Sequence, residues 1–327
     1  MSAANAGAAL PAGIAILGPT GSGKSQLAMR IAAERPVEII SVDSAQVYRG
    51  LDVGTAKPSA EERHVVVHHL IDIREPEQVY SAGEFRTDSL ALIREIHARG
   101  RVPLLVGGTM LYYRALFRGI AQLPTADQSL RTALDARAAR EGWPALHAEL
   151  AAADPASAAR IHPHDAQRIQ RALEVLALSG QPLGAHWAGE NADAGQFRDW
   201  TICELEPADR AQLHAVLAER LAQMLRAGLV DEVRALLDRG LDANSPALRL
   251  VGYRQLVEHC QGLESLESAA ARALAATRQL AKRQLTWLRS GKLLPYGARK
   301  FLHCDSLNPT QRDHIARLLI NAAAPAC

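Results

Sequence analysis

The stretch GPTGSGKS, residues 18–25, decides the fold. It fits G-x-x-x-x-G-K-[S/T] at every fixed position and lies between a short apolar run, residues 14–17, and a helical pattern over residues 24–34. A loop in this context turns its backbone N–H groups inward around an anion, and the helix N-terminus adds partial positive charge. The pattern therefore predicts a loop that binds a diphosphate unit, and it specifies neither a third phosphate nor a nucleoside.

The residues of this loop have separate predicted tasks. The glycines let the backbone turn tightly around the anion. Lys24 supplies a full positive charge, and Ser25 is a candidate ligand of Mg²⁺. The predicted phosphate-binding residues are Gly18, Pro19, Thr20, Gly21, Ser22, Gly23, Lys24 and Ser25.

Apolar runs alternate with helical patterns through the first third of the chain. After the run at residues 14–17, further runs at residues 37–41, 70–73 and 102–106 read as strands, with helical patterns between several of them. This alternation predicts an α/β fold: a P-loop NTPase-like core with a parallel sheet flanked by helices. Ligands bind at the carboxyl ends of strands in such sheets, where residues 43–46 and the phosphate loop are expected to meet.

The pattern changes after Gly119. Residues 129–179 carry only helical signals, residues 188–196 read as a polar linker, and residues 200–205 read as a strand again. We therefore expect an all-helical insertion domain within the α/β core. The predicted core comprises residues 1–123 and 197–327, the insertion comprises residues 124–196, and the later helices cover roughly 207–227, 229–239, 253–260 and 265–290.

Composition excludes several classes of protein. The chain has 327 residues, 48% of them hydrophobic, with no run near the ~18 apolar residues that a membrane helix needs. The N-terminal stretch lacks the basic residues of a secretory signal. Four cysteines without a C-x-x-C pair argue against a disulfide framework or zinc site, and the histidines show no metal-ligand spacing. We expect a monomer in the cytoplasm with no membrane contact.

The sequence lacks the acidic strand end of a motor ATPase. The apolar run that ends at Val106 is followed by Gly107, Gly108 and Thr109, and Asp72 after a shorter run is a poor substitute. Thr109 is predicted either to contact a reacting group or to cap a helix. Asp43, which follows the second strand, is a candidate Mg²⁺ ligand, general base or turn residue.

Two basic regions suggest a large polyanionic partner. Residues 268–304 contain eight Lys or Arg and no Asp or Glu. Helical spacing puts Arg278, Lys282 and Arg289 on one face of the predicted helix, with a solvated face as the alternative interpretation. A second cluster lies in the insertion, at Gln167, Arg168, Gln170 and Arg171.

Seven motifs in order resemble those of one known family. They are GPTGSGKS, SVDSAQVY, GTAKP, LLVGGTMLY, IHPHDAQRIQRALEV, VGYRQL and ATRQLAKRQLTWLR, and they run from about residue 14 to about residue 290. In this order they resemble tRNA dimethylallyltransferases, also called tRNA isopentenyltransferases or IPP transferases. The C-terminal zinc finger of some eukaryotic relatives is missing, so the chain resembles the bacterial form.

The resemblance implies a reaction and its cofactor. A dimethylallyl group passes from dimethylallyl diphosphate to the exocyclic N6 amine of an adenosine adjacent to the tRNA anticodon, and diphosphate is released. The implied cofactor is Mg²⁺. Asp43 resembles the family's catalytic base, Thr109 matches a catalytic residue near the reacting atoms, and the phosphate loop holds the diphosphate although the motif is often labelled ATP-binding.

The resemblance also implies a tRNA-binding surface, in which the helical insertion clasps the anticodon stem. The implied tRNA contacts are Asp43, Ser44, Ala45, Gln46, Thr109, Arg131, Gln167, Arg168, Ile169, Gln170, Arg171, Arg249, Gly252, Tyr253, Arg254, Lys282, Arg283, Gln284, Trp287 and Arg289.

Three other functions stay open at the level of sequence. An adenylate isopentenyltransferase that acts on a free nucleotide has no need of the insertion or the late basic helix. A P-loop small-molecule kinase predicts transfer of a γ-phosphate. An RNA-binding module with a regulatory phosphate loop predicts tRNA binding without a product.

Overall fold

The computed structural model describes residues 10–121, 123–185, 195–295 and 300–322. Its six strands are β1 (Ile14–Leu17), β2 (Val37–Val42), β3 (His68–His69), β4 (Val102–Gly107), β5 (Thr201–Glu206) and β6 (Lys300–Asp305). They form one sheet in the order β3-β2-β4-β1-β5-β6, and every pair of neighbours is parallel. The predicted parallel sheet flanked by helices is confirmed.

Thirteen helices occur in the described part of the chain. They are α1 (Lys24–Glu34), α2 (Ala60–Val65), α3 (Ala82–Ala98), α4 (Met110–Arg118), α5 (Gln128–Glu141), α6 (Trp143–Ala153), α7 (Pro155–Ala158), α8 (Ala166–Ser179), α9 (Arg210–Arg226), α10 (Leu229–Asp238), α11 (Tyr253–Cys260), α12 (Leu266–Arg289) and α13 (Pro309–Ala322).

The central strand β1 is buried on both faces. Ala15 and Leu17 belong to the larger hydrophobic core, whereas Ile14 and Ile16 belong to the core on the other face, with α1 and α13. Such two-sided burial is why parallel strands read as continuous apolar runs. It places the phosphate loop, which follows β1 directly, at the middle of the sheet's carboxyl edge.

A close approach of two backbones explains the glycine that ends β4. A Cβ atom on Gly107 would lie 2.0 Å from the carbonyl oxygen of Val42, at the end of β2. No side chain fits there, so the residue must be glycine. The contact brings the segment after β2 against the segment after β4, which is where the polar clusters lie.

The chain divides into two compact units. One comprises Met1–Arg118 and Asp193–Cys327, and the other comprises Gly119–Ala192. The second unit contains helices α5 to α8 around a core that includes Leu146, Leu150 and Ile169. Its limits differ by a few residues from the predicted insertion, 124–196. Most of the predicted linker, 188–196, lies outside the described residues.

The predicted strand at residues 70–73 is wrong. The strand is the preceding pair, His68–His69, and Leu70 and Asp72 adopt left-handed backbone angles with φ of 62° and 56°. The carboxylate of Asp72 accepts hydrogen bonds from Lys57 and Arg63, both at 2.7 Å. These ion pairs occupy Asp72 away from the phosphate loop, so it is no substitute for the acidic strand end of an ATPase.

The C-terminal strand and helix, β6 and α13, were not predicted from the sequence. The strand KFLHCD mixes charged, polar and apolar residues because it lies at the edge of the sheet, beside β5. Among the described residues, no helix is long and apolar enough to cross a membrane. The three described cysteines, Cys203, Cys260 and Cys304, are free.

Candidate active site

The phosphate loop has the geometry that its glycines predict. Gly21 and Gly23 have φ of 80° and 76°, in the left-handed region that favours glycine. A Cβ on Gly18 would lie 2.7 Å from the carbonyl oxygen of Leu205. Helix α1 begins at Lys24, so its N-terminal N–H groups lie at the loop.

Lys24 is electrostatically prepared for an anion. Its Nζ donates to the carbonyl of Pro19 at 2.6 Å and lies 3.4 Å from Oγ of Ser22. Burial and, to a smaller extent, the positive charge of Arg220 lower the pKa of Lys24 to about 7, although Asp43 opposes the shift. A bound anion would therefore stabilise the charged form of this buried side chain strongly.

Arg220, on α9, is a cation of the site that the sequence did not reveal. It lines the same cavity as Lys24 and Asp43, and burial lowers its pKa while Asp43 opposes that shift. It belongs to no phosphate-binding motif. The sequence feature that could have indicated its role is its position beside Leu217 and Leu221 on α9. These leucines are buried, so an arginine next to them is not expected to face solvent fully.

Asp43 is held in a turn and still faces the site. Its Oδ1 accepts hydrogen bonds from the backbone N–H of Ala45 at 2.8 Å and of Gln46 at 3.4 Å. The residue is half-buried and lines the cavity beside Lys24 and Arg220. One oxygen thus fixes the turn, which leaves the other available for chemistry.

Thr109 links the ends of β4 and β2. Its Oγ1 accepts a hydrogen bond from the backbone N–H of Ser44 at 3.0 Å and lies 3.3 Å from Oγ of Ser44. Its carbonyl accepts from the N–H of Tyr112 in α4. Thr109 therefore occupies the start of a helix, but its hydroxyl binds across to the Asp43 segment.

Gln46 stabilises the wall of the site. Its Oε1 accepts from the hydroxyl of Ser41 at 2.9 Å, and its Nε2 donates to the carbonyl of Ala56 at 3.2 Å. Its amide is thus engaged with neighbouring protein groups.

Gln284, on α12, joins the phosphate loop to the end of β4. Its Oε1 accepts the N–H of Thr20 at 2.9 Å, and its Nε2 donates to the carbonyl of Gly108 at 2.9 Å. A Cβ on Gly108 would lie 2.6 Å from this amide nitrogen, so a larger residue there would force the Gln284 amide to shift. The amide holds the loop in place from a residue 264 positions away in the chain.

The wall opposite the loop is held by a carboxylate and a buried lysine. Glu232 accepts the N–H groups of Asp52, Val53 and Gly54 at 2.6, 2.8 and 3.0 Å, and it also accepts the hydroxyl of Tyr253 at 2.6 Å. Lys57, with a side chain only 1% exposed, donates to the carboxylates of Asp52 and Asp72. This segment lines the cavity and is rigidly positioned.

The cavity has two chambers, both within the α/β unit. The phosphate chamber, about 780 Å³, contains the phosphate loop. The apolar chamber, about 470 Å³, is lined by side chains that include Leu217, Leu221, Met224, Leu280 and Trp287. The residues shared by both chambers are Thr20, Asp43, Thr55, Gly108, Arg220 and Gln284.

Comparison with known proteins places this arrangement in a family. Residues 46–291 match the family model described as IPP transferase. A tRNA dimethylallyltransferase of Bordetella petrii is 58% identical over 280 residues, which cover 85% of this chain and 89% of the relative. The chain belongs to the IPP transferase family. A relative of the same name from Ralstonia nicotianae is 52% identical over 318 residues, covering 95% of this chain and 96% of its own.

Solved structures agree with the membership in the IPP transferase family. A tRNA isopentenylpyrophosphate transferase of Bacillus halodurans has a TM-score of 0.65 at 35% identity, covering 95% of this chain and 96% of that chain. A eukaryotic dimethylallyltransferase acting on tRNA shares the fold, with a TM-score of 0.75 at 24% identity, covering 97% of this chain and 81% of that chain. The family resemblance predicted from the motifs is confirmed.

The predicted tRNA contacts of the helical unit differ in exposure. Ile169 is buried in that unit's core, so its side chain faces inward. Arg131 and Arg171 both bind the buried carboxylate of Glu174, and Nε2 of Gln170 donates to Asp135 at 2.7 Å. Burial raises the pKa of Glu174, but its hydrogen bonds to the two arginines outweigh burial and keep that pKa low. Two other predicted contacts, Gln167 and Arg168, are exposed.

The predicted tRNA contacts in and around α11 and α12 also differ in exposure. Gly252 and Tyr253 are buried, while Trp287 is half-buried against the apolar chamber. Arg289 pairs with Glu206. The basic stripe predicted for α12 is narrower than expected, because Arg278 is half-buried. The exposed cations among these predicted contacts are Arg249, Arg254, Lys282, Arg283 and Arg289.

No group of three or more His, Cys, Asp or Glu that could hold a metal ion occurs among the described residues. Nε2 of His69 lies 2.6 Å from the carboxylate of Glu38, and Nδ1 of His68 lies 2.9 Å from the carbonyl of Val66. Both histidines therefore have hydrogen-bond partners within the protein.

Replacing Gln284 tests the importance of its bridge. Gln284→Ala removes two hydrogen bonds of about 1 kcal/mol each that hold the phosphate loop. We expect the affinity for diphosphate to fall about 10- to 30-fold, measured by equilibrium dialysis with radiolabelled diphosphate. Gln279→Ala, an exposed change on the same helix, is the matched control and should change it less than about twofold. Equal affinities for the two variants would contradict the bridge's role.

Proposed function

We propose that the chain transfers a dimethylallyl group from dimethylallyl diphosphate to the exocyclic N6 amine of an adenosine adjacent to the tRNA anticodon, releasing diphosphate. The observation that carries the proposal is the position of Asp43. This carboxylate lies where the phosphate chamber and the apolar chamber meet. A base at that point lies between a diphosphate leaving group on one side and an acceptor amine on the other.

The phosphate chamber suits the leaving group. As the bond between the allylic carbon and oxygen breaks, negative charge builds on the diphosphate. Lys24, Arg220 and the N–H groups at the start of α1 are already positioned there before charge develops. Preorganised donors and cations of this kind stabilise such a transition state.

The apolar chamber suits the allylic group and the acceptor base. The carbon gains positive character as it parts from diphosphate, and water would compete with the amine for it. Walls of Leu217, Leu280 and Trp287 keep the reacting carbon among apolar groups. Trp287 also offers an aromatic face for stacking a base that leaves the anticodon loop.

Asp43 is the proposed acceptor of the proton that the adenine amine loses. The adenine amine is a weak nucleophile because its lone pair is delocalised into the ring. The carbon–nitrogen bond forms, the carbon–oxygen bond breaks with its electron pair on diphosphate, and the amine loses one proton to the carboxylate of Asp43. Hydrogen bonds from Ala45 and Gln46 hold the carboxylate in place during this transfer.

The residues at the site fit the proposed Mg²⁺. Magnesium is usually held by one or two protein oxygens together with substrate phosphates. The hydroxyl of Ser25 supplies such an oxygen donor in the phosphate chamber. When bound there, the ion would neutralise charge on the diphosphate.

A tRNA acceptor is favoured over a free nucleotide. The exposed cations Arg249, Lys282 and Arg283 lie on the α/β unit, two of them lining the apolar chamber. A free nucleotide needs no such surface, whereas a phosphate backbone does. The named bacterial relatives are enzymes of tRNA. We also propose that the chain acts as a monomer in the cytoplasm.

The decisive experiment measures transfer of label. The protein is incubated with Mg²⁺, dimethylallyl diphosphate labelled in its carbon chain, and unmodified tRNA. We expect label in the tRNA, and none in a transcript whose adenosine adjacent to the anticodon is replaced by guanosine. AMP as acceptor tests the free-nucleotide alternative, and γ-labelled ATP tests the kinase. Folded protein that leaves the tRNA unlabelled would rule out the proposal.

Asp43→Asn separates chemistry from structure. The Asn side-chain oxygen retains the turn contact with Ala45, but the amide cannot take a proton. We expect the single-turnover transfer rate to fall about 10²- to 10⁴-fold, while the affinity for tRNA changes less than about twofold. If affinity and rate fell together, Asp43 would be a recognition residue and not the base.

The pKa of Lys24 predicts proton uptake on binding. With a pKa of about 7 in the free protein, the amine is mostly neutral at about pH 8. A bound diphosphate favours the charged form, so binding takes up close to one proton there, and affinity falls as pH rises above about 7. Calorimetry in buffers of different ionisation enthalpy measures this uptake, which Lys24→Met should abolish. No uptake by the unchanged protein would mean that Lys24 is already charged.

A further inference from the structure

The phosphate chamber has an end that the proposed reaction does not use. Ser306 and Arg312 line this chamber, but neither lines the apolar chamber. Both come from the C-terminal part of the chain, beyond residue 291, where the family match ends. Ser306 follows β6 at the carboxyl edge of the sheet, and Arg312 lies in the first turn of α13.

Ser306 is an unexplained polar group. It is fully buried, and its Oγ has no hydrogen-bond partner among the described residues. A buried hydroxyl without a partner costs about 1–3 kcal/mol, so such groups are rare in folded proteins unless something binds to them. Since Ser306 lines the chamber that holds the phosphate loop, a phosphate oxygen would supply the missing acceptor.

Arg312 supplies a charge beside that hydroxyl. Its Nη1 lies 4.0 Å from the position that a Cβ on Gly23 would occupy, and its Nη2 donates to Oε1 of Gln26 at 3.3 Å. It therefore stands against the last glycine of the phosphate loop and the first turn of α1. The guanidinium is only partly exposed, and its fork of donors matches phosphate oxygens.

The packing of α13 on α1 fixes this arrangement. Arg30 of α1 pairs with Asp313, the neighbour of Arg312, and Nε of Arg35 donates to the carbonyl of Ile320 at 2.8 Å. The N–H of Ser306 lies 3.4 Å from the carbonyl of Glu206 at the end of β5. These contacts fix the backbone around Ser306 and Arg312 in the wall of the phosphate chamber.

We propose that Ser306 and Arg312 form a subsite for the phosphate of the diphosphate that lies farthest from the reacting carbon. The proposal rests on the function proposed above, because it requires the diphosphate to occupy the phosphate loop. The carbon lies on the side of Asp43 and the apolar chamber, so the outer phosphate lies toward the end that these two residues line. They hold it with one guanidinium and one hydroxyl, in the substrate and in the released diphosphate.

Binding of inorganic diphosphate tests the subsite directly. Titration calorimetry with Mg²⁺ present compares the unchanged protein with Arg312→Leu, Ser306→Ala and Arg317→Leu. Arg317 is exposed on the same helix and does not line the chamber, so it controls for the loss of one positive charge. We expect Arg312→Leu to weaken binding about tenfold or more, Ser306→Ala about threefold to tenfold, and Arg317→Leu less than twofold.

Thermal unfolding of the unliganded proteins separates binding from packing. If the Ser306 hydroxyl donates a hydrogen bond to a bound phosphate, Ser306→Ala weakens diphosphate binding. If it is only a packing fault, Ser306→Ala raises the unfolding temperature and leaves affinity unchanged, which overturns its part of the proposal. Equal effects of Arg312→Leu and Arg317→Leu overturn the subsite while the unchanged protein still binds diphosphate. No binding by the unchanged protein would overturn the diphosphate site itself.

Discussion

The close contact between Gly107 and the carbonyl of Val42 is the constraint on which the site depends. It lets the ends of β2 and β4 approach until Thr109 can bind the backbone of Ser44. That bond sets the position of the Asp43 turn beside the phosphate loop. A larger residue at 107 would push the two strand ends apart, so this glycine helps to position Asp43, the residue that we propose as the base.

The charges of the site are balanced against one another. Burial opposes charge on both Lys24 and Arg220, Arg220 further opposes charge on Lys24, and Asp43 favours charge on both. A third cation, Arg312, lies on the far side of the loop. A diphosphate brings several negative charges into this set, and so relieves the repulsion among the cations. In the proposed reaction, these cations would therefore interact most strongly with the diphosphate leaving group.

Local sequence predicted the elements that obey local rules. Strands β1 and β4 are continuous apolar runs because they are buried on both faces, while β2 and β5 are buried but also contain polar residues. The rule that ligands bind at the carboxyl ends of strands placed Lys24 and Asp43 together. The apolar run at residues 70–73 was wrongly predicted to be a strand, because ion pairs hold Asp72 in a turn. The roles of Arg220 and Gln284 escaped prediction, since they arise from packing of α9 and α12 against a loop some 200 residues or more earlier in the chain. Such contacts leave no periodic signal.

The arrangement gives each end of the cavity a different chemistry. At one end are apolar walls and exposed cations suited to a base and its phosphate backbone; at the other are the helix N-terminus, Arg312 and an unsatisfied hydroxyl on Ser306. Gln284 belongs to both chambers and binds the loop that divides them. It also lies on α12, the helix that carries the exposed Lys282 and Arg283. Through Gln284, the helix that carries these exposed cations is hydrogen-bonded directly to Thr20 of the phosphate loop.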